Sequence, residues 1–175
     1  MIKLVLCDLD STLIWQPDHI ITPFALDAIH VLQGTGVLFA PCTGRIYRDL
    51  THMLAGDAAA TSTAVTSNGQ LVYLEGQLVE KVALSHKALL CAEASLAHMP
   101  DAYLVVEYGG RKVAVGTDLG FVRVHPDNFW HVERALADVP EEPCYKANVR
   151  VVGTYERCQE VAAHLSDAHA ELDFL

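Results

Sequence analysis

Short apolar runs separated by helical stripes fill the first part of this chain, and paired runs around tight turns fill much of the rest. Ile2 to Cys7 is an apolar run of strand length that stops at Asp8. Thr22-Pro23 opens a helix, with a hydroxyl to cap it and proline at its first position. Phe24, Ala28, Ile29 and Leu32 are its expected buried stripe, and Gly34 or Gly36 ends it. Val37 to Pro41 predicts a second strand, ending at Cys42-Thr43-Gly44-Arg45. A second helix follows, because Ile46, Leu50, Met53 and Leu54 recur at helical spacing. Ala58 to Ser62 reads as a small-residue loop, and Ala64 to Thr66 as a third strand running into Ser67-Asn68-Gly69. Strand, helix, strand, helix, strand predicts an α/β unit with a parallel sheet and crossover helices.

The pattern changes after Gly69. Leu71 to Leu74 and Leu78 to Val82 flank Glu75-Gly76-Gln77, which predicts a hairpin. Tyr103 to Tyr108 and Arg111 to Val115 flank Gly109-Gly110, a second hairpin signal. Helices are expected over Ser85 to His98, over Asp127 to Asp138, and around Cys158, Val161, Ala162 and Leu165. Strands are expected over Asn148 to Val152 and from Glu171 to Leu175. Residues 1–69 thus read as α/β and 70–175 as an antiparallel α+β module, with the hinge at Ser67 to Gln70.

Composition narrows the function. Half of the 175 residues are hydrophobic (51%) and only 19% are charged, which is the opposite of a disordered chain. The formal net charge is −10 with no Lys/Arg cluster, so nucleic acid is not an expected partner. No apolar run approaches the roughly 20 residues of a membrane helix, and Asp8 interrupts the N-terminal run before a signal-peptide core could form. Five cysteines, at 7, 42, 91, 144 and 158, contain no CxxC pair; that fits a reducing cytoplasm rather than a disulfide framework or zinc site.

The sharpest chemical signal is Asp8-Leu9-Asp10-Ser11-Thr12, directly after the first strand, where open α/β sheets place their ligands. Extended chain separates the two Asp Cα atoms by roughly 6–7 Å. That is too far to share a proton directly, and it suits two carboxylates bracketing one metal ion or one phosphoryl group. A carboxylate can attack phosphorus to give an aspartyl-phosphate, a hard cation offsets the crowded negative charge, and a second acid serves the leaving oxygen and then water.

With Cys7-Asp8-Leu9-Asp10-Ser11-Thr12-Leu13, Thr43-Gly44-Arg45 and Ser67-Asn68-Gly69 in this order and spacing, the chain resembles the haloacid dehalogenase superfamily of phosphohydrolases. More narrowly it resembles the Cof-type sugar-phosphatase branch, subclass IIB. The resemblance implies a Rossmann-like core over 1–69, of which only the N-terminal part is present, and an α+β C2-type cap over 70–175. It also implies an Mg²⁺-dependent phosphomonoesterase acting on a small phosphorylated metabolite, a sugar phosphate such as those of the sucrose-phosphate or mannosyl-phosphoglycerate type. Asp8 would be the nucleophile and a metal ligand. Asp10 would be the general acid/base and would bind the metal through its backbone carbonyl. Thr43, with Gly44, would bind the phosphoryl group, and Arg45 and Asn68 would lie near the substrate.

The chain departs from the family in three places. Ser11 stands where this branch usually has glycine, and Pro41-Cys42 precedes Thr43 where a small apolar residue is common. The family's Lys after the cap and its second acidic motif have no counterpart: the last Lys is Lys146, and only Asp167 and Asp173 follow it among aspartates. The chain is therefore expected to end inside the cap, with a homo-oligomer or a second chain covering the incomplete core. A truncated relative that works by association, and a phosphomutase, are the other readings. Elsewhere, His164 with His169 and His125 with His131 are poorly spaced as metal ligands and are expected in solvent. Arg111 and Lys112 are expected as strand-end surface charges, with phosphate binding as the alternative. Phe129 and Trp130 are expected on a helix, in its core, with sugar stacking as the alternative.

Overall fold

The computed structural model describes residues 2–15, 18–108, 111–124, 131–139 and 142–169. The chain forms two compact units, Met1–Val82 and Ala83–Leu175.

The first unit holds β1 (Leu4–Cys7), α1 (Pro23–Gly34), β2 (Leu38–Pro41), α2 (Tyr47–Met53), α3 (Ala58–Thr61), β3 (Ala64–Thr66), β4 (Leu71–Leu74) and β5 (Gln77–Lys81). β1 and β2 are parallel, with Leu4 opposite Leu38 and Cys7 opposite Pro41. A parallel bridge between Cys42 and Val65 joins β2 to β3, and β3, β4 and β5 continue antiparallel. The sheet is thus parallel only at its β1–β2–β3 side. Hairpin β4–β5 turns at Glu75-Gly76, both at positive φ (50° and 78°), as two-residue hairpins require. It belongs to the first unit because β4 pairs with β3; the compact unit ends at Val82, past the 69/70 boundary read from the pattern.

Thr22 caps α1 as expected, accepting from the Ala25 N–H at 3.2 Å with Pro23 in the first turn. Its buried side keeps two of the four expected residues, Ile29 and Leu32. Ile29 is buried and Ala25, Leu26 and Leu32 pack beside it, whereas Phe24 is 84% exposed and Ala28 is exposed. At about 100° per residue, positions 25, 26, 29 and 32 share one arc, and 24 and 28 lie outside it. α2 buries Leu50 and Met53, with Ile46 and Leu54 at its ends, as its period predicts.

The small-residue stretch expected as a loop is the helical turn α3, because Asp57 caps it. The Asp57 carboxylate accepts from the Ala60 N–H at 2.8 Å and lies 3.0 Å from His30 Nε2 on α1.

The second unit holds α4 (His86–Leu96), β6 (Ala102–Tyr108), β7 (Arg111–Val115), α5 (Leu119–Val124), β8 (His131–Glu133), β9 (Ala147–Val151) and α6 (Tyr155–Ala168). Its sheet runs β8-β7-β6-β9, antiparallel except for the β7–β8 pair. Leu104, Val106 and Val115 face Leu89 and Leu96 of α4 and Val161 and Leu165 of α6. Tyr103, Val105, Ala114 and Val122 fill the opposite face. Arg157 on α6 forms a double hydrogen bond to Asp101 (2.7 and 3.0 Å), which fixes the helix to the start of β6.

The helix expected over 127–138 is not formed at its C-terminal part. Residues 131–133 are β8, paired to Val113–Val115, and Leu136–Asp138 is one 3₁₀ turn; the free edge of β7 overrides the local pattern. α5 was not anticipated; the Asp118 carboxylate accepts from the Phe121 N–H in its first turn. His169, expected in solvent, is buried, with Nε2 2.9 Å from Ser95 Oγ. Phe129, Trp130, His125, the Gly109-Gly110 turn and the strand expected over 171–175 lie outside the described residues.

The Asp57 cap gives a test. Its hydrogen bond from Ala60, with a smaller contribution from His30, holds the Asp57 carboxyl below its ordinary value. Its stabilisation is therefore complete above the ordinary carboxylate range and is lost as pH falls through that lowered value. Asp57→Ala is expected to cost about 1 kcal/mol at neutral pH, with the difference shrinking in acid, as measured by urea unfolding at both pH values.

Candidate active site

The site begins just after the end of β1. Leu9 is fully buried in the core of the first unit. Asp8 and Asp10 flank it in the turn that follows β1. Asp8 is exposed and Asp10 half-buried. The turn after them is closed by the Leu9 carbonyl, which accepts from the N–H groups of Thr12, Leu13 and Ile14. Ser11 takes φ 59° in this turn, a left-handed conformation that glycine adopts without steric cost. That is the physical reason for the glycine usual at this position in the family.

Each carboxylate has a distinct partner. Thr12 Oγ1 donates to Asp8 Oδ2 at 2.8 Å, a contact the motif's hydroxyl four residues on could have signalled. Arg45 donates twice to Asp10, from Nε at 3.0 Å and from Nη2 at 2.8 Å. His19 Nδ1 stands 3.7 Å from Asp10 Oδ1; nothing in the sequence pattern singled it out, because a loop brings it there. The hydrogen bond from Arg45 to Asp10, with Coulombic attraction behind it, holds the guanidinium pKa up against the lowering by burial.

Thr43 and Arg45 come from the loop after β2. Thr43 is buried, its N–H donates to the Val65 carbonyl at 3.0 Å, and its Oγ1 accepts from the Arg45 N–H at 3.1 Å. With that lone pair engaged, the hydroxyl proton is the group left to donate to an oxyanion. Asn68 lies at the end of β3, against Gly44: a Cβ at Gly44 would come within 2.5 Å of Asn68 Oδ1. Asp8, Asp10, Thr43, Gly44, Arg45 and Asn68 therefore stand at the carboxyl ends of three successive strands of one unit. Arg111 and Lys112 belong to the second unit. Cys7, beside Asp8, is no competing nucleophile: burial first, and the Asp8 charge second, push its thiol pKa up, and the thiolate is the reactive form.

The donor set suits a hard cation in part. Carboxylate and carbonyl oxygens are what Mg²⁺ takes, and it keeps several waters. Among the described residues, no group of three or more His, Cys, Asp or Glu could hold a metal ion, so Asp8 and Asp10 would form one side of such a site.

An acidic pair thus follows β1, the first of two parallel strands in a mixed α/β fold. A family model for haloacid dehalogenase-like hydrolases matches residues 5–174, and the chain belongs to that family. A Haemophilus influenzae protein that carries the provisional name of phosphatase is 30% identical over 89 residues, 50% of this chain and 32% of that protein. Among solved structures, SMU.1108c of Streptococcus mutans superposes with TM-score 0.78 at 17% identity, covering 98% of this chain and 64% of that one. A sugar phosphatase of subclass IIB superposes with TM-score 0.72 at 14% identity, over 96% of this chain and 64% of that one. The chain thus spans about a third of the curated relative and under two thirds of these two structures.

The strained turn gives a prediction. Ser11→Gly keeps the Ser11 N–H bond to the Ile14 carbonyl and is expected to raise stability by up to about 1 kcal/mol. Ser11→Val should lower it, and thermal melts of the two variants beside the parent would show both shifts.

Proposed function

We propose that this chain carries the nucleophile of an Mg²⁺-dependent phosphomonoester hydrolase acting on a small phosphorylated metabolite, a sugar phosphate. The observation that carries the reading is the pair Asp8 and Asp10 flanking the buried Leu9 just after β1, with Thr43 just after the adjacent strand. The sugar-phosphate class is supported by the subclass IIB neighbour and by an α+β second unit. The reducing cytoplasm is the expected compartment, in keeping with free thiols at all five cysteines; no helix among the described residues is long and apolar enough to cross a membrane.

An Asp8 carboxylate oxygen attacks phosphorus, the bond from phosphorus to the leaving oxygen breaks, and Asp10 protonates that oxygen. Water then attacks the aspartyl-phosphate, Asp10 takes its proton, and phosphate leaves with Asp8 regenerated. Thr12 holds one Asp8 oxygen and limits rotation of the carboxylate. The Arg45 guanidinium holds the Asp10 carboxylate by two hydrogen bonds. In the first half-reaction the anionic phosphoryl group competes with Asp10 for that guanidinium. Thr43 donates to a phosphoryl oxygen. Mg²⁺ would be held by the Asp8 carboxylate and the Asp10 carbonyl, and would supply charge neutralisation at the transferring group.

A second reading, a relative that works by association, is favoured by one observation. Leu4 and Leu38 are opposite one another and Leu6 is on the same face, and they are 45%, 43% and 57% exposed. An apolar sheet face of this kind marks a surface for another polypeptide.

Phosphate release from p-nitrophenyl phosphate separates the readings. Hydrolysis is expected to require Mg²⁺, and Asp8→Asn should lower it by on the order of 10³-fold or more with an unchanged circular dichroism spectrum. Turnover retained in Asp8→Asn would overturn the nucleophile; no turnover from the folded parent chain would favour association. Transfer of the phosphoryl group within an added sugar phosphate, without phosphate release, would indicate a mutase.

A further inference from the structure

Ser67, Asn68 and Gly69 take left-handed φ values in succession (53°, 57° and 92°). For the two non-glycine residues this costs on the order of 1–2 kcal/mol each, so the surroundings must impose it. The surroundings are the loop after β2. The Ser67 N–H donates to the Arg45 carbonyl at 2.9 Å, and the Asn68 N–H to the Thr43 carbonyl at 3.3 Å. Asn68 Oδ1 fills the space beside Gly44, 2.5 Å from where a Cβ would stand. Arg45, fixed by that loop, reaches Asp10 through two hydrogen bonds. The Ser67 hydroxyl is buried without a partner, so the backbone of this turn and the Asn68 amide make the contacts.

We propose that Asn68 is a positioning residue: pressed against Gly44 by the left-handed turn, its side chain sets the Thr43–Arg45 loop and, through Arg45, the orientation of the Asp10 carboxylate. Its effect on turnover rests on the phosphatase reading above; its effect on the Asp10–Arg45 pair does not. Asparagine suits both demands, since it tolerates φ near 57° better than most residues and has the volume that glycine lacks.

The test pairs substitutions at 44 and 68 and reads the Arg45 Nε–H resonance by ¹⁵N NMR, assigned with Arg45→Lys, beside phosphate release. Gly44→Ala drives a methyl group into the amide. It is expected to shift the Arg45 Nε–H towards its position in Asp10→Asn and to lower kcat by on the order of 10²-fold with little change in KM. Gly44→Ala combined with Asn68→Gly lets the methyl occupy the space the amide vacates, and glycine accepts the backbone angle. Both readouts should recover relative to Gly44→Ala alone. An Arg45 signal unmoved by Gly44→Ala, or a double variant no better than the single, would overturn the proposal. If Gly44→Ala unfolds, Asn68→Gly alone decides: a shifted or broadened Arg45 signal supports the role and an unchanged one overturns it. A parent chain without Asp8-dependent turnover would sink the phosphatase reading, and the resonance would still decide the positioning role.

Discussion

Leu9 is fully buried between two aspartates, and its carbonyl accepts three N–H groups of the turn that follows. The candidate site depends on that placement. Asp8 and Asp10 stay at or near the surface just after β1 while the residue between them is held in the core. Core packing around Leu9, with Ile14, Ile21, Phe39 and Leu50, provides the hold. Hydrophobic burial thus sets the spacing of the charged groups.

The charges then constrain one another. Asp10 draws Arg45 from the loop after β2 and His19 from the loop before α1, while Asp8 keeps to Thr12 of its own turn. One carboxylate is paired with a cation and the other with a neutral hydroxyl. That asymmetry supports the proposed assignment of Asp8 as nucleophile, since a nucleophile bound bidentate to a guanidinium would have both oxygens engaged. Backbone hydrogen bonds from Ser67 and Asn68 complete the connection, so the ends of β1, β2 and β3 form one continuous network.

Leu4, Leu6 and Leu38 form an exposed apolar face on β1 and β2. In a doubly wound sheet both faces are covered. Here α1 covers one face through Ile29 and Leu32, and leaves Phe24 and Val31 in solvent.

Much of this was legible in the sequence, where local chemistry decides. Asp8-Leu9-Asp10 at the end of an apolar run, Thr22-Pro23 before a helical stripe, Ser85 before α4 and the tight turn at Glu75-Gly76 each carry their own structural instruction, and each element formed. The remaining features came from contacts distant in sequence. Residues 131–133 became a strand because β7 offered a free edge, the alanines at 58–60 became helical because Asp57 capped them, and hairpin β4–β5 joined the first unit because β3 was there to pair with. In the site, the motifs named Asp10, Arg45 and Asn68 separately. That Arg45 grips Asp10 and that Asn68 presses on Gly44 was decided by the tertiary structure, because strand pairing brings together the ends of segments that the sequence keeps tens of residues apart.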